Sequence, residues 1–89
     1  MMTDERVYSL AKDRLIYLSN ADEKNEKKYL LDFTEINNLS IDRVFKLAYD
    51  ELIFIRDCNI EKHLFSVVEY VSEEIEELKE LAIFKGLQL

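Results

Sequence analysis

Ile-Asp-Arg-Val-Phe-Lys-Leu-Ala-Tyr-Asp-Glu-Leu-Ile-Phe-Ile-Arg-Asp-Cys, residues 41–58, is apolar around most of a helix's circumference. Wound at ~100° per residue, Ile41, Val44, Phe45, Ala48, Leu52 and Ile55 form one continuous stripe. Leu47, Phe54 and Cys58 lie on one flank of it, and Tyr49 and Ile53 on the other. Polar residues are confined mainly to an arc of roughly 60°, made by Arg43, Lys46, Asp50 and Asp57. A helix of this kind must be wrapped by others. The rest of the chain is therefore read as its cover.

Before it, Asn37 and Asn38 are poor helix formers that tolerate left-handed backbone. Ser40 is placed to cap the central helix, and Leu39 and Val44 stand at the separation of a hydrophobic staple. Upstream, Thr3 or Asp4 caps a first helix over residues 4–18, lined by Val7, Leu10, Ala11, Leu15 and Leu18, with Ile16 pointing away. The polar run 20–28 reads either as a solvated linker or as the opening of a second helix. Asn20 and Glu23 resemble a capping box, which favours helix over 23–37, with Tyr29, Leu30 and Phe33 on its inner face.

Downstream, Asn59 is read as the cap of a fourth helix, 60–85. Ile60, Leu64, Val67, Val68, Val71, Ile75, Leu78 and Ala82 make its stripe, and positions 64 to 82 alternate steps of four and three, a heptad-like seam. Gly86 stands where a left-handed C-cap belongs, with Leu87 able to fold back on the last turn. The sequence thus predicts an all-α chain. It forms a single domain, 1–89, a small bundle of four helices at 4–18, 23–37, 41–57 and 60–85. The fourth helix, ~38 Å long at 1.5 Å per residue, is expected to overhang the others. Its seam can be satisfied by helices one to three or by a second copy, and the overhang favours the second copy.

The composition agrees. Of 89 residues, 48% are hydrophobic and 35% charged, as in folded globular proteins rather than disordered ones. There is no proline and one glycine, so the turn signals of an all-β chain are missing. The bias towards Ile, Lys, Asn and Glu resembles that of products of low-GC bacterial or phage genomes. No run is apolar enough to span a membrane, and the charged N-terminus has no signal-peptide core, so a cytoplasmic location is expected.

The formal charge of −7 argues against nucleic acid as a partner, which normally requires a basic footprint. A helix-turn-helix over 34–49 is a minor alternative, but its recognition helix would be the most apolar in the chain. Catalytic chemistry is poorly supplied. Cys58 and His63 are the only residues of their kinds, which excludes an internal disulfide and leaves no ordinary zinc site. A Cys–His nucleophile would need contact, an orienting group and an oxyanion site. No phosphate-binding glycine loop and no Glu-x-x-His pair occurs. No catalysis, metal or cofactor is expected.

One polar feature stands out. Glu69, Glu73, Glu76, Glu77 and Glu80 share the face opposite the seam. Glu69–Glu73, Glu73–Glu77 and Glu76–Glu80 are like-charge pairs at i,i+4, each unfavourable by ~0.2–0.5 kcal/mol. Helix stability alone would not select them. The strip is either a solvated face or a docking surface for a basic partner. Phe65 and Ile83 fall on one flank of this helix and Tyr70, Leu81 and Phe84 on the other. A small bundle tends to bury such flanks, but left exposed they give a partner-binding edge of Phe65, Tyr70 and Phe84 beside the acids. The expected function is a small acidic protein-binding module, an inhibitor, antidote or regulator that occludes a site on a larger protein. The alternative is a self-associating structural protein, a homodimeric bundle through the long C-terminal helix.

Overall fold

The computed structural model describes residues 2–21 and 39–89, and all regular structure among them is helical. Three helices are present there: α1 (Asp4–Ala21), α2 (Ile41–Glu61) and α3 (Phe65–Phe84). The helix expected at 23–37 lies outside the described residues.

α1 begins where expected. Thr3 is the cap: its Oγ1 accepts from the Arg6 N–H at 3.2 Å and its carbonyl from the Val7 N–H at 3.0 Å. Asp4 and Glu5 then sit at the positive end of the helix. The backbone runs to Ala21, beyond the predicted end at Leu18. Ser and Asn lower helix propensity by only tenths of a kcal/mol, and without proline or glycine nothing there forces a stop.

α2 starts at the predicted cap, with Ser40 Oγ accepting from the Arg43 N–H at 3.3 Å. Val44, Phe45, Leu47, Ala48 and Leu52 are buried on it. Ile41, expected on the stripe, is 41% exposed because it stands at the helix's first position. Both α1 and α3 pack against α2. Val7, Leu10, Ala11 and Leu15 from α1, and Val71, Ile75, Leu78 and Ala82 from α3, complete one core cluster with it. Each such side chain, fully buried, contributes ~1.5–3 kcal/mol for the larger aliphatics.

The boundary between α2 and α3 corrects the prediction. α2 continues through Asn59 to Glu61, four residues past the expected end at 57, and α3 starts at Phe65 rather than at residue 60. Asn59 is an interior residue, its Nδ2 donating to the Ile55 carbonyl at 2.7 Å, not a cap. The chain turns instead at His63, whose φ of 59° is left-handed. His63 N–H donates to the Ile60 carbonyl and Leu64 N–H to the Asn59 carbonyl, the pair of bonds that closes a Schellman motif. Glycine usually holds that position, and a side chain there is unfavourable by ~1 kcal/mol. α3 ends in the same motif with the usual residue. Gly86 has φ 74°, its N–H donates to Ile83, and Leu87 N–H donates to Ala82 at 2.8 Å. Leu87 folds back onto the core as predicted.

A consequence is that α3 is not the longest helix among the described residues. At 20 residues it is shorter than α2 at 21. Ile60 belongs to the end of α2, and Leu64, which opens the predicted seam, and Val67 of the predicted stripe are exposed.

Candidate functional site

The outer face of α3 is the surface to which sequence reasoning points. Its inner face is held by Val71, Ile75, Leu78 and Ala82, and by a buried acid, Glu74. Arg6 of α1 grips Glu74 through two bonds, Nε to Oε2 at 3.0 Å and Nη2 to Oε1 at 3.2 Å. Lys85, just beyond α3, pairs with Asp4 at 3.3 Å. These two ion pairs hold the start of α1 alongside the second half of α3. The bond to Glu74 is the main reason that the Arg6 guanidinium is held above its ordinary pKa, against the opposing effect of burial.

With the inner face so occupied, Glu69, Glu73, Glu76 and Glu80 project into solvent, and Glu77 is half-buried. Lys79 makes an exposed i,i+3 contact with Glu76 at 3.5 Å. No basic residue stands in the first or last turn of α3 to offset the strip. Four of the five acids are thus exposed on the outer side of α3, with Lys79 set against one of them.

The aromatic edge is only partly assembled. Tyr70 is 61% exposed and lines a hollow of about 280 Å³ with Arg6, Glu73, Glu74 and Glu77, so it adjoins the strip. Phe65, 63% exposed, lies in the first turn of α3, and Phe84, 87% exposed, in the last. Nineteen residues apart at 1.5 Å each, they are separated by ~28 Å and are not one edge. The expected burial of the flanks holds for Leu81, which packs on the core, and not for Ile83, Phe84, Phe65 or Tyr70. His63 sets its ring edge-on to Phe65, with centroids 5.9 Å apart.

Sequence reasoning missed two buried acids. Glu74 sits in the same run as the strip, but one step round the helix places it inward against Arg6. Glu51 is buried on α2 near Arg14. Burial pushes the Glu51 carboxyl above its ordinary pKa, Arg14 opposes that, and Asp13 adds to it. Arg14 stacks over Tyr17 and Phe54, whose rings lie 4.5 Å apart. Among the described residues, Arg14 Nη1 and Glu51 Oε2 are buried without a hydrogen-bond partner. An acid three residues after Ala48 on the apolar side of the central helix was the available signal.

Among the described residues no group of three or more His, Cys, Asp or Glu could hold a metal ion. None of the described helices is long and apolar enough to cross a membrane. Val44, Phe45, Leu47 and Ala48, within the segment that the helix-turn-helix alternative makes its recognition helix, are in the core. Compared with known protein families, curated proteins and solved structures, the chain matches none.

Proposed function

We propose that this chain is a small acidic protein-binding module that regulates or inhibits a larger protein by occluding a site on it, with no catalytic step of its own. The observation that supports this reading is the solvent face of α3. There, like charges that disfavour the helix stand together beside an exposed tyrosine instead of being dispersed around it. Such a face suits a basic surface on the partner, with Tyr70 as the aromatic anchor. The test is capture from the native host's lysate, followed by association kinetics of each captured protein against wild type and the triple variant Glu73→Gln, Glu76→Gln, Glu80→Gln. Association should slow in the variant and slow with added salt, since exposed charges are screened beyond ~8 Å at physiological ionic strength. An association rate unchanged by both would sink the docking role of the strip.

A second reading, self-association, is favoured by a separate observation. Ile60, Leu64, Phe65 and Val67 are all exposed around the α2–α3 turn, apolar side chains left in solvent close together along the chain.

A further inference from the structure

The turn between α2 and α3 lacks any residue that demands a turn. It is made by Lys62, His63 and Leu64, with neither glycine nor proline. Lys62 is already near helical geometry, at φ −84° and ψ 0°. His63 bears a left-handed φ of 59°, and Leu64 offers the start of α3 no side-chain cap. Continuing α2 straight into α3 requires backbone rotation at little more than these positions, and it releases the strain at His63.

The side-chain pattern also runs through the break. Tyr49 of α2 lines the same cavity as Ala82 and Leu87, so the Tyr49 side of α2 is the side that meets α3. Carried on at ~100° per residue, Tyr49, Ile53, Ile60, Leu64, Val67 and Val71 fall within an arc of about 60°. The same arc continues along the buried face of α3. The surface of α2 that receives α3 and the surface of α3 that docks on it are therefore one stripe of a single uninterrupted helix. In the folded-back chain the middle of that stripe, Ile60, Leu64 and Val67, is left exposed.

We propose that the occupant of this exposed stretch is a second copy of the chain, through exchange of α3. Each copy straightens at His63 into one helix over 41–84, and its α3 docks on the α2 of the other copy. Two such helices cross antiparallel at Ile60, Leu64 and Val67, which become buried against their counterparts. The contacts that hold α3 re-form between copies, Arg6 to Glu74 and Asp4 to Lys85, so exchange sacrifices none of them. This builds on the self-association reading and adds to it which element crosses over.

Two experiments test it. In the first, light scattering follows mass against concentration for wild type, His63→Ala and His63→Gly. Alanine favours the straight helix and glycine the left-handed turn, and each dimer contains two hinges. The dimer should thus be tighter in the alanine variant than in the glycine variant by ~10-fold or more, with wild type between. In the second, Arg6→Glu and Glu74→Arg are refolded separately and mixed. Within either variant positions 6 and 74 carry like charges and repel. In an exchanged mixed dimer the acid introduced at position 6 of one copy meets the arginine introduced at position 74 of the other. The native Arg6 and Glu74 pair across the second junction. The mixture should form heterodimers in preference to either homodimer. A mass of 10.6 kDa for wild type and both His63 variants at every concentration would overturn exchange and self-association together. A dimer indifferent to residue 63 and to charge mixing would overturn exchange alone, and identify a face-to-face contact at that stretch.

Discussion

Removing Arg6 and removing Glu74 should have unequal effects, although they are partners in one ion pair. The Glu74 side chain is 10% exposed and the Arg6 side chain 41%. In Arg6→Met the carboxylate stays on the inner face of α3, next to Ile75, with both of its guanidinium bonds gone. An unsatisfied buried charged group is unfavourable by ~1.5–3 kcal/mol or somewhat more. A fully buried pair broken in this way loses ~3–5 kcal/mol. Arg6 is far from fully buried, so solvent can follow it, and the lower figure of about 2 kcal/mol applies. In Glu74→Met an apolar side chain replaces the acid among apolar neighbours, and Arg6 swings into water. The expected loss is below ~1 kcal/mol. Thermal unfolding reads the difference directly. At ~4–8 °C per kcal/mol for a domain of this size, Arg6→Met should lower Tm by about 8–16 °C and Glu74→Met by only a few degrees. The double variant should resemble Glu74→Met rather than the sum, because the penalty resides in the stranded carboxylate. Equal losses in the two single variants, or a larger loss in Glu74→Met, would refute the burial asymmetry on which this rests.

Leu52, fully buried on α2, should lose ~2–5 kcal/mol on replacement by alanine, a large part of the stability of a chain this small. A Tm within a degree of wild type would remove α2 from the centre of the core. Glu51→Gln should raise Tm at neutral pH, because burial holds the Glu51 carboxyl above its ordinary value. In that case the folded state binds the proton more tightly than the unfolded state, so wild type loses stability as pH rises from the ordinary carboxyl range through the raised value. The advantage of the variant should therefore shrink as pH is lowered into the acid range, and a gap that widens instead would contradict the assignment. The triple glutamine variant of the acidic strip should be slightly more stable than wild type. Three i,i+4 repulsions are relieved, by ~0.2–0.5 kcal/mol each, against the loss of one exposed contact between Glu76 and Lys79. A lower Tm for that variant would show the strip to be structurally supportive.

What the chain determines locally was legible without coordinates. Ser40 and Thr3 cap because a hydroxyl three residues ahead of an orphan N–H needs no tertiary partner, and Gly86 ends α3 because only its own backbone is involved. The core stripe of α2 and the inner face of α3 follow from periodicity alone, as does the acidic face, since residues three and four apart share a side wherever the helix lies. The α2–α3 boundary was not legible. Asn59 is a good cap and His63 a poor turn residue by local propensity, differences of about 1 kcal/mol that burial of Ile75, Leu78 and Ala82 against α2 easily outweighs. Tertiary packing alone decided where the seam stops being core, and so left Ile60, Leu64 and Val67 in solvent. It also supplied the partner of the inward acid: helical phase sets Glu74 among Val71, Ile75 and Leu78 and turns Glu73 out, but no local pattern encodes Arg6, sixty-eight residues away.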